Sequence, residues 1–228
     1  MYENLSLEDK VQRLLDMQEI RNLMARYEYL MFNNQLDEIM DLFTKRDDAY
    51  VDCEGIGVLR GTAGVHKFMV EWHESLNFDK NGVFAIHTLT TELIEVAEDG
   101  RTARGLWISP GAEAKRSVRG GLESYWIWGH YAIDFIKENG KWLFWKFRIP
   151  HDFMCDFHHS WTELSGAKLA SDVSSAEVKP VGDEPSIYPP NNYSADKPAS
   201  DFFVPPIPYK TEKDLDGFWG EPYTLGDE

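Results

Sequence analysis

Cysteines, basic residues and long apolar runs are all scarce in this sequence. Cys53 and Cys155 are its two cysteines, too few for a disulfide framework, so we expect a reducing, cytoplasmic environment. Only 23 Lys and Arg oppose 39 Asp and Glu, and the formal net charge of -16 repels phosphate backbones and anionic lipid. No apolar run approaches the roughly 20 residues that span a bilayer, and the start MYENLSLEDK lacks a signal-peptide pattern. We therefore expect no nucleic-acid or membrane partner.

Aromatic residues, by contrast, are abundant. They make up 14% of the chain, with eight Trp, inside an apolar fraction of 43%. This composition is typical of a globular protein whose rings line a core, a cavity or a partner-binding surface. A chain of 228 residues is long enough for one domain with a real core plus an extension.

Three helical patterns occur before residue 80. Ser6, three residues before Asp9, forms an acidic variant of the capping box at the start of a long amphipathic helix, SLEDKVQRLLDMQEIRNLMARYEYLMF. LDEIMDLF predicts a short second helix, and TAGVHKFMVEWHESL predicts a third. Between them, DDAYVDCEGIGVLRG predicts a short hairpin with glycines at its turns.

After residue 83 the pattern becomes that of strands. FAIHTLTTELIEVAEDG, RTARGLWISPG, ESYWIWGHYAIDFIKENG and KWLFWKFRIPHDF are rich in β-formers, and most are separated by Asp-Gly or Asn-Gly turn signals. Helices followed by an antiparallel meander predict the α+β class. We expect the sheet to curl around the first helix and to enclose a cavity.

The C-terminal part differs in composition. Nine of the eleven prolines lie between Pro180 and Pro222, a density that allows neither a helix nor a strand ladder. The segment is either a disordered tail or, given aromatic residues such as Tyr209 and Trp219, an arm packed on the body or on a neighbouring subunit. We favour the arm, and divide the chain into a folded domain, residues 1–160, and an extension, residues 161–228.

The order of three segments resembles a known superfamily. ARYEYLMFNNQLDEIMDLF, AYVDCEGIGVLRGTAGVHKF and GHYAIDFIKENGKWLFWKFRI are similar to the nuclear transport factor 2-like proteins, which include SnoaL-like polyketide cyclases, scytalone dehydratase, ketosteroid isomerase and bile-acid dehydratase. The resemblance covers about residues 10–153. It implies a cone of curved antiparallel or mixed sheet around the N-terminal helix, in the order α-β-α-β-β-β. It also implies a pocket at the open end, no metal or organic cofactor, and a homodimer or homotrimer.

Three residues match catalytic positions of these relatives. Tyr27 matches a tyrosine that hydrogen-bonds substrate oxygen, as a phenol can for a developing oxyanion. Asp52, nine residues before Gly61, matches the proton-shuttling aspartate of ketosteroid isomerase, although a one-residue slip would put Glu54 there. His87 matches a pocket histidine of both dehydratases and can accept one proton while donating another. The alternatives are a core tyrosine, a turn aspartate and a structural strand histidine.

The strand YWIWGHYAIDF alternates, so its odd-numbered residues share one face and its even-numbered residues the other. Scytalone dehydratase presents polar residues to its pocket at the positions of Gly129 and Tyr131, which implies that the odd face is inside. Tyr131 would be a second phenolic donor, and Gly129 would make room for substrate. Trp126 and Trp128 would face outward and favour a subunit interface; a one-residue slip would exchange the faces.

The stretch RIPHDFMCDFHHSW raises the question of a metal site. Its three His and two Asp fit no zinc-binding spacing, and Pro150 ends the preceding strand. We therefore predict a pocket rim without metal, from which His151 or His158 reaches the substrate. Arg148 lies where the relatives tend to carry a cation near the pocket mouth. It would orient a phenolate, carboxylate or carbonyl, or else form a surface ion pair.

The chain also departs from its relatives. Bile-acid dehydratase has an aspartate where this chain has Phe32, and a second one near Ser109–Gly111. The full catalytic set of that enzyme is therefore not inherited. Together with Trp72 and Trp107, Phe32 suggests an aromatic-lined substrate pocket instead.

These observations predict a cofactor-independent lyase acting on a small aromatic or polycyclic hydroxylated molecule. It would eliminate water or cleave a carbon–carbon bond, for example with loss of formaldehyde. His87 would move the proton, with Asp52 as helper or alternative base, Tyr27 and Tyr131 as oxygen donors and Arg148 at the far end. An isomerase or cyclase of the same fold would use the same groups. The alternative that is not an enzyme is a scaffold without catalysis, similar to the small subunit of ring-hydroxylating dioxygenases.

Overall fold

Helix α1, Leu7–Phe32, lies across the concave side of the sheet. The computed structural model describes residues 5–76, 81–116, 121–163, 182–187, 193 and 205–215. Ser6 caps α1 as predicted, because its Oγ accepts a 3.1 Å hydrogen bond from the Asp9 backbone N–H. The predicted apolar stripe is buried only from Ile20 onward, whereas Leu14 is 63% exposed. The second half of α1 therefore forms the contact with the sheet.

The other helical and hairpin predictions are confirmed. The elements that follow α1 are α2 (Leu36–Ile39), a 3₁₀ turn (Met40–Leu42), the hairpin strands β1 (Tyr50–Cys53) and β2 (Gly57–Arg60), α3 (Gly61–His66), a π-helical turn (Lys67–Trp72) and α4 (His73–Leu76). The last three run on without a break and make one irregular helical segment.

Among the described residues, a mixed sheet of eight strands completes the domain. Its remaining strands are β3 (Phe84–His87), β4 (Thr90–Val96), β5 (Thr102–Arg116), β6 (Leu122–Glu138), β7 (Lys141–Ile149) and β8 (His151–Asp156). The main order is β2-β1-β7-β6-β5-β3, in which only the β1–β7 pair is parallel. The predicted α+β class with a mixed sheet is confirmed.

The curvature of the sheet comes from its two longest strands. One half of β5 pairs with β4 and the other half with β3, while β6 pairs with β8 and then with β7. The register between β6 and β7 shifts at Asp134, as in a β-bulge, which increases the local bend. The sheet therefore curves around α1, and the expected cone is confirmed. Strand β8 is absent from the predicted elements, because Pro150 indicates the end of the preceding strand.

Two faces of β6 carry different residues, as the alternation predicts. Tyr131, Ile133 and Phe135 belong to the main core on the concave side. Trp126 is 41% exposed on the opposite face, and Trp128 stacks on Phe153 with a ring-centroid distance of 5.4 Å. No described helix has both the length and the apolarity needed to cross a membrane.

Described parts of the extension contact the body at the edge strand β2 and at Thr102. Val58 donates a 2.9 Å backbone hydrogen bond to the carbonyl of Glu184. Gly57 has a φ of +100°, and an added Cβ would lie 2.3 Å from the Glu184 carbonyl oxygen, so only glycine fits this crossing. Further along, Tyr209 is buried and donates a 3.1 Å hydrogen bond to Oγ1 of Thr102. Residues 164–181 and 216–228, with Trp219, lie outside the described ranges.

Candidate active site

A cavity of about 110 Å³ lies between α1, the helical segment 61–76 and the concave face of the sheet. It brings together five of the ten predicted site residues: Tyr27, Trp72, His87, Tyr131 and His151. These residues come from five separate elements: α1, the helical segment, β3, β6 and β8. The cavity is also lined by residues that were not predicted, among them Glu28, Cys53, His73, Glu113, Lys115 and Ile127.

A carboxylate holds the predicted histidine in place. Nε2 of His87 donates a 3.1 Å hydrogen bond to Oε1 of Glu113, whose other oxygen lies 2.5 Å from Nζ of Lys115. Burial alone would raise the pKa of Glu113, but the charge of Lys115 and the bond from His87 hold it well below its usual range. Burial alone would lower the pKa of His87, but Glu113 raises it above 6.5. The imidazole is therefore poised to carry a proton.

A second carboxyl group faces the same cavity, and its pKa is shifted in the opposite direction. Burial raises the pKa of Glu28 to about 7, against the opposing effects of His87 and of a hydrogen bond from Tyr131. Its Oε1 is buried and has no hydrogen-bond partner among the described residues. A carboxyl group of this pKa is an effective general base near neutral pH. The site thus holds an acid–base pair formed by Glu28 and His87.

The two predicted tyrosines meet beside this pair. Tyr27 and Tyr131 are buried, with ring centroids 5.9 Å apart in an edge-to-face arrangement. Their hydroxyl groups interact with each other, and that of Tyr131 also bonds Glu28. Burial raises the pKa of both phenols, so both remain neutral donors. The arrangement can hold an oxygen atom that gains negative charge.

Three further cavity residues have uncharged polar atoms. Burial lowers the pKa of His151 to about 4, and its Nδ1 has no partner among the described residues. His73 also has a pKa of about 4, because of burial, and its Nδ1–H donates a 2.8 Å hydrogen bond to the carbonyl of Phe68. The indole N–H of Trp72 has no partner in the described part of the chain. His151 and Trp72 therefore offer neutral hydrogen-bonding atoms to a ligand.

Asp52 lies outside the cavity. In β1 it is Cys53 that lines the cavity, so Asp52 points to the other side of the sheet. Glu54 follows β1, and its Oε2 accepts a 2.8 Å hydrogen bond from the backbone N–H of His151. Oδ2 of Asp52 accepts a 3.0 Å hydrogen bond from the backbone N–H of Ile187 in the extension. Burial raises the pKa of Asp52 even so. The structure does not bring this carboxyl group to the acid–base pair.

Arg148 also lies on the convex side, in a buried charge cluster. Its Nη2 lies 2.9 Å from Oδ2 of Asp134, and Nε of Arg104 lies 3.2 Å from Oδ1 of the same carboxylate. All three side chains are at most 4% exposed. Nε of Arg148 further donates a 3.0 Å bond to the hydroxyl of Tyr50. Arg148 is thus neither at the pocket mouth nor in a surface ion pair.

Three predicted substrate-binding residues, Gly129, Trp107 and Phe32, do not line the cavity. An added Cβ on Gly129 would lie 2.6 Å from the carbonyl oxygen of Pro150, so this glycine admits the β7–β8 turn rather than a ligand. Trp107 is buried in the core and donates a 3.3 Å hydrogen bond to Glu92. Phe32 is half exposed and lines a separate groove outside the cavity.

The predicted rim stretch forms strand β8 and a turn. His151 reaches the cavity, whereas His159 is exposed and pairs with Asp156 through a 2.7 Å contact of Nδ1 with Oδ2. Within the described ranges, no three potential metal-ligating side chains converge.

Glu28 and Glu113 are the residues that sequence reasoning missed. Glu28 directly follows Tyr27 on α1 and is not among the residues that the resemblance indicates. Glu113 lies two residues beyond Gly111, the register partner of His87, on the same face of β5. Glu113 thus supplies a strand carboxylate beside His87. An alternating reading of GAEAKR would have placed it.

Known proteins share this architecture. The model of the SnoaL-like domain family matches residues 12–148. A scytalone dehydratase-like protein of Novosphingobium aromaticivorans DSM 12444 is 17% identical, with a TM-score of 0.54 over 66% of this chain and 93% of that one. Hexachlorocyclohexane dehydrochlorinase LinA-type3 of Novosphingobium barchaimii LL02 is 20% identical, with a TM-score of 0.54 over 66% of this chain and 96% of that one. No curated protein sequence matches the chain. At these identities the structural likeness concerns the fold alone.

Proposed function

The chain belongs to the SnoaL-like domain family, and from this premise we propose that it is a cofactor-independent lyase acting on a small hydroxylated aromatic or polycyclic molecule. One observation carries the proposal: a carboxyl group of raised pKa, Glu28, and an imidazole held by a carboxylate, His87, line the same cavity. Elimination of water needs one group that takes a proton from carbon and another that gives a proton to the leaving oxygen.

The reaction requires an ionised Glu28 and a protonated His87, and the raised pKa of His87 favours the second of these states. The Glu28 carboxylate takes the proton from the carbon next to the hydroxyl-bearing carbon, and the C–H electron pair forms the new double bond. The C–O bond breaks as the His87 imidazolium donates its proton to the departing hydroxyl, which leaves as water. The cycle closes when Glu28 returns its proton to His87 directly or through solvent.

The two tyrosines serve the oxygen that gains charge. If the substrate carries a carbonyl or phenol conjugated with the reacting carbon, proton removal places negative charge on that oxygen. In this proposal the neutral hydroxyls of Tyr27 and Tyr131 donate to that oxygen, in place of the bond from Tyr131 to Glu28. Donors of this kind typically lower the barrier by about 3 kcal/mol each.

Carbon–carbon cleavage with loss of formaldehyde would use the same groups in another order. A base takes the proton of a hydroxymethyl O–H, the C–C bond breaks to release formaldehyde, and the carbanion left behind takes the proton of the second group. Isomerases and cyclases would need only part of this set. The similar structures support elimination, since a dehydratase-like protein and a dehydrochlorinase are among them.

A scaffold without chemistry would be expected to fill its cavity and to bond Tyr27 and His87 to the backbone. Here His87 bonds a side chain, and Glu28 keeps an unpartnered buried oxygen, which supports the enzyme. We further propose a cytoplasmic homodimer or homotrimer. The two buried free cysteines and the exposed Trp126 support these two assignments, and light scattering of the purified protein tests the second.

The experiment is a turnover screen of hydroxylated aromatic and polycyclic compounds by mass spectrometry, with wild type, His87→Ala and His66→Ala side by side. His66 is an exposed surface histidine and serves as the matched control. We expect a compound that loses the mass of water or of formaldehyde with wild type and His66→Ala but not with His87→Ala. Products of unchanged mass would replace the lyase with an isomerase. No turnover by wild type, with no binding in a thermal-shift assay, would favour the scaffold.

A further inference from the structure

We propose that the substrate occupies two subsites, with its small reacting end in the cavity and an uncharged apolar body in a groove outside it. The inference rests on the proposed function, since it assigns the substrate class of the same site. The outer subsite is an open groove of about 390 Å³ between α1 and β3. Its lining residues are Ala25, Glu28, Tyr29, Phe32, Ile86, His87, Thr88 and Leu89.

Glu28 and His87 form the common wall of the two spaces. Both residues line the cavity and both line the groove. A molecule that fills the two spaces must therefore pass the acid–base pair, which is where its reacting carbon atoms have to be. A ligand confined to one of the two spaces would meet Glu28 and His87 from one side only.

The volume of the cavity is too small for a ring-containing substrate to lie wholly inside it. The cavity of about 110 Å³ is smaller than the engineered cavity of roughly 150 Å³ that holds a single benzene ring. Ligand sites usually measure about 300–1,000 Å³, a range that is reached only when the groove is included. The inner space thus fits a hydroxylated carbon and its neighbours, and a ring system extends outward.

The charges select an uncharged molecule. The cations that line the cavity, Lys115 and His87, are both bound to Glu113. No Lys or Arg is among the groove-lining residues within the described chain, and Glu28 is anionic above its pKa of about 7. Arg148, the expected partner for a substrate carboxylate, lies on the other side of the sheet. A carboxylate would meet repulsion without a compensating cation. Apolar groove residues such as Phe32, Ile86 and Leu89 suit a neutral ring instead.

Three probe compounds test the inference by binding alone. Phenol has one ring, 2-naphthol has two and is neutral at pH 7, and 2-naphthoate has two rings and a negative charge. By calorimetry with wild type we expect 2-naphthol to bind at least about tenfold more tightly than either of the others, a difference of about 1.4 kcal/mol. Equal affinity for 2-naphthoate would overturn the charge assignment. Binding of none of the three at millimolar concentration would overturn the site.

A groove-filling variant separates the two subsites. Ala25→Trp places a large ring in the groove, and Arg26→Trp adds the same ring at the neighbouring exposed position as the control. We expect Ala25→Trp to lower the affinity for 2-naphthol about tenfold and the affinity for phenol less than twofold, while Arg26→Trp changes neither affinity. In the inner space, Ala85→Leu should weaken both ligands. If Ala25→Trp weakens phenol as much as 2-naphthol, or weakens neither, the two-subsite assignment is wrong.

The outcome is independent of the chemistry. Affinities of His87→Ala, measured with the same probes, report on the subsites without any turnover. If the binding pattern appears but no related hydroxylated compound is converted by wild type, the lyase proposal fails and the subsites stand. If a compound is converted but its affinity is unaffected by Ala25→Trp, the lyase stands and the outer subsite fails.

Discussion

Nε2 of His87 lies 3.1 Å from Oε1 of Glu113, and both side chains line the cavity. The residues come from adjacent strands, in which His87 pairs with Gly111 and Glu113 follows two residues later. Lys115 contacts the same carboxylate, so Glu113 stays ionised and favours the imidazolium. This contact gives His87 the acid role in the proposed reaction and leaves the base role to Glu28.

The acid–base pair predicts a bell-shaped pH dependence of kcat/KM for any compound that is turned over. Activity should fall below a pH of about 7 as Glu28 takes up a proton, since only its ionised form is a base. It should fall again at higher pH as His87 loses its proton, above the ordinary value of 6.5. Glu28→Gln should lower kcat/KM by roughly 10²–10⁴ and abolish the acid limb of the residual activity. Persistence of that limb in Glu28→Gln would assign it to another group.

Stability should respond in opposite directions to the two glutamates. The folded-state pKa of Glu28, about 7, exceeds its ordinary value of 4.5, so ionisation of this group destabilises the fold as pH rises between these values. Glu28→Gln should therefore raise the free energy of unfolding above pH 7 by on the order of 2 kcal/mol and leave it nearly unchanged in acid. Urea denaturation at a series of pH values measures this difference.

Glu113→Gln is the matched comparison. The pKa of Glu113 is lowered, so its carboxylate stabilises the fold above pH 4.5, and this stabilisation is lost as the pH falls. The free energy of unfolding of Glu113→Gln should be about 3 kcal/mol lower than that of wild type at neutral pH, and this difference should become smaller in acid. Equal effects of the two substitutions at every pH would contradict the assigned protonation states.

Gly111 is expected to position His87. An added Cβ would lie 2.8 Å from Nδ1 of the imidazole and 2.7 Å from the carbonyl oxygen of Ile86, although the backbone at Gly111 has an ordinary φ. Gly111→Ala should therefore displace the ring and reduce kcat about 100-fold, with a smaller change in KM. Ser109→Ala, on the same face of β5, is the control and should keep kcat. An unchanged pH profile and kcat in Gly111→Ala would show that the ring has room to move.

The buried cluster of Arg104, Asp134 and Arg148 should affect stability and not catalysis. Asp134→Asn leaves two buried guanidinium groups without their shared carboxylate. It should lower the free energy of unfolding by about 3–5 kcal/mol. Arg148→Met should cost less, since Arg104 keeps its partner. In both variants kcat should be within twofold of wild type at a temperature where the protein remains folded. Thermal unfolding and kinetics on the same samples test this; a large loss of kcat in stable Arg148→Met would return Arg148 to the site.

The sequence predicted inner and outer faces well where one face is strongly apolar. On β6 the alternation of Tyr131, Ile133 and Phe135 with Ala132 and Asp134 is clear, and the structure follows it. On β1 all four residues are buried, so no alternation distinguishes Asp52 from Cys53. Arg148 was expected at the pocket mouth because the relatives carry a cation there, but a strand covered on both sides can hold a charged group on either face.

The sequence by itself determined the class of fold, the long capped helix, the hairpin and most of the strands along the chain, because helix caps, turn residues and apolar periodicity act over a few neighbouring residues. It also indicated His87, Tyr27 and Tyr131 as residues of one site. Only the tertiary structure decided which carboxyl groups join them. Glu28 and Glu113 are 85 positions apart in the chain, and their pKa values depend on burial and on neighbours that the folded sheet brings together. Charge interactions and desolvation act through space, so no local pattern records them.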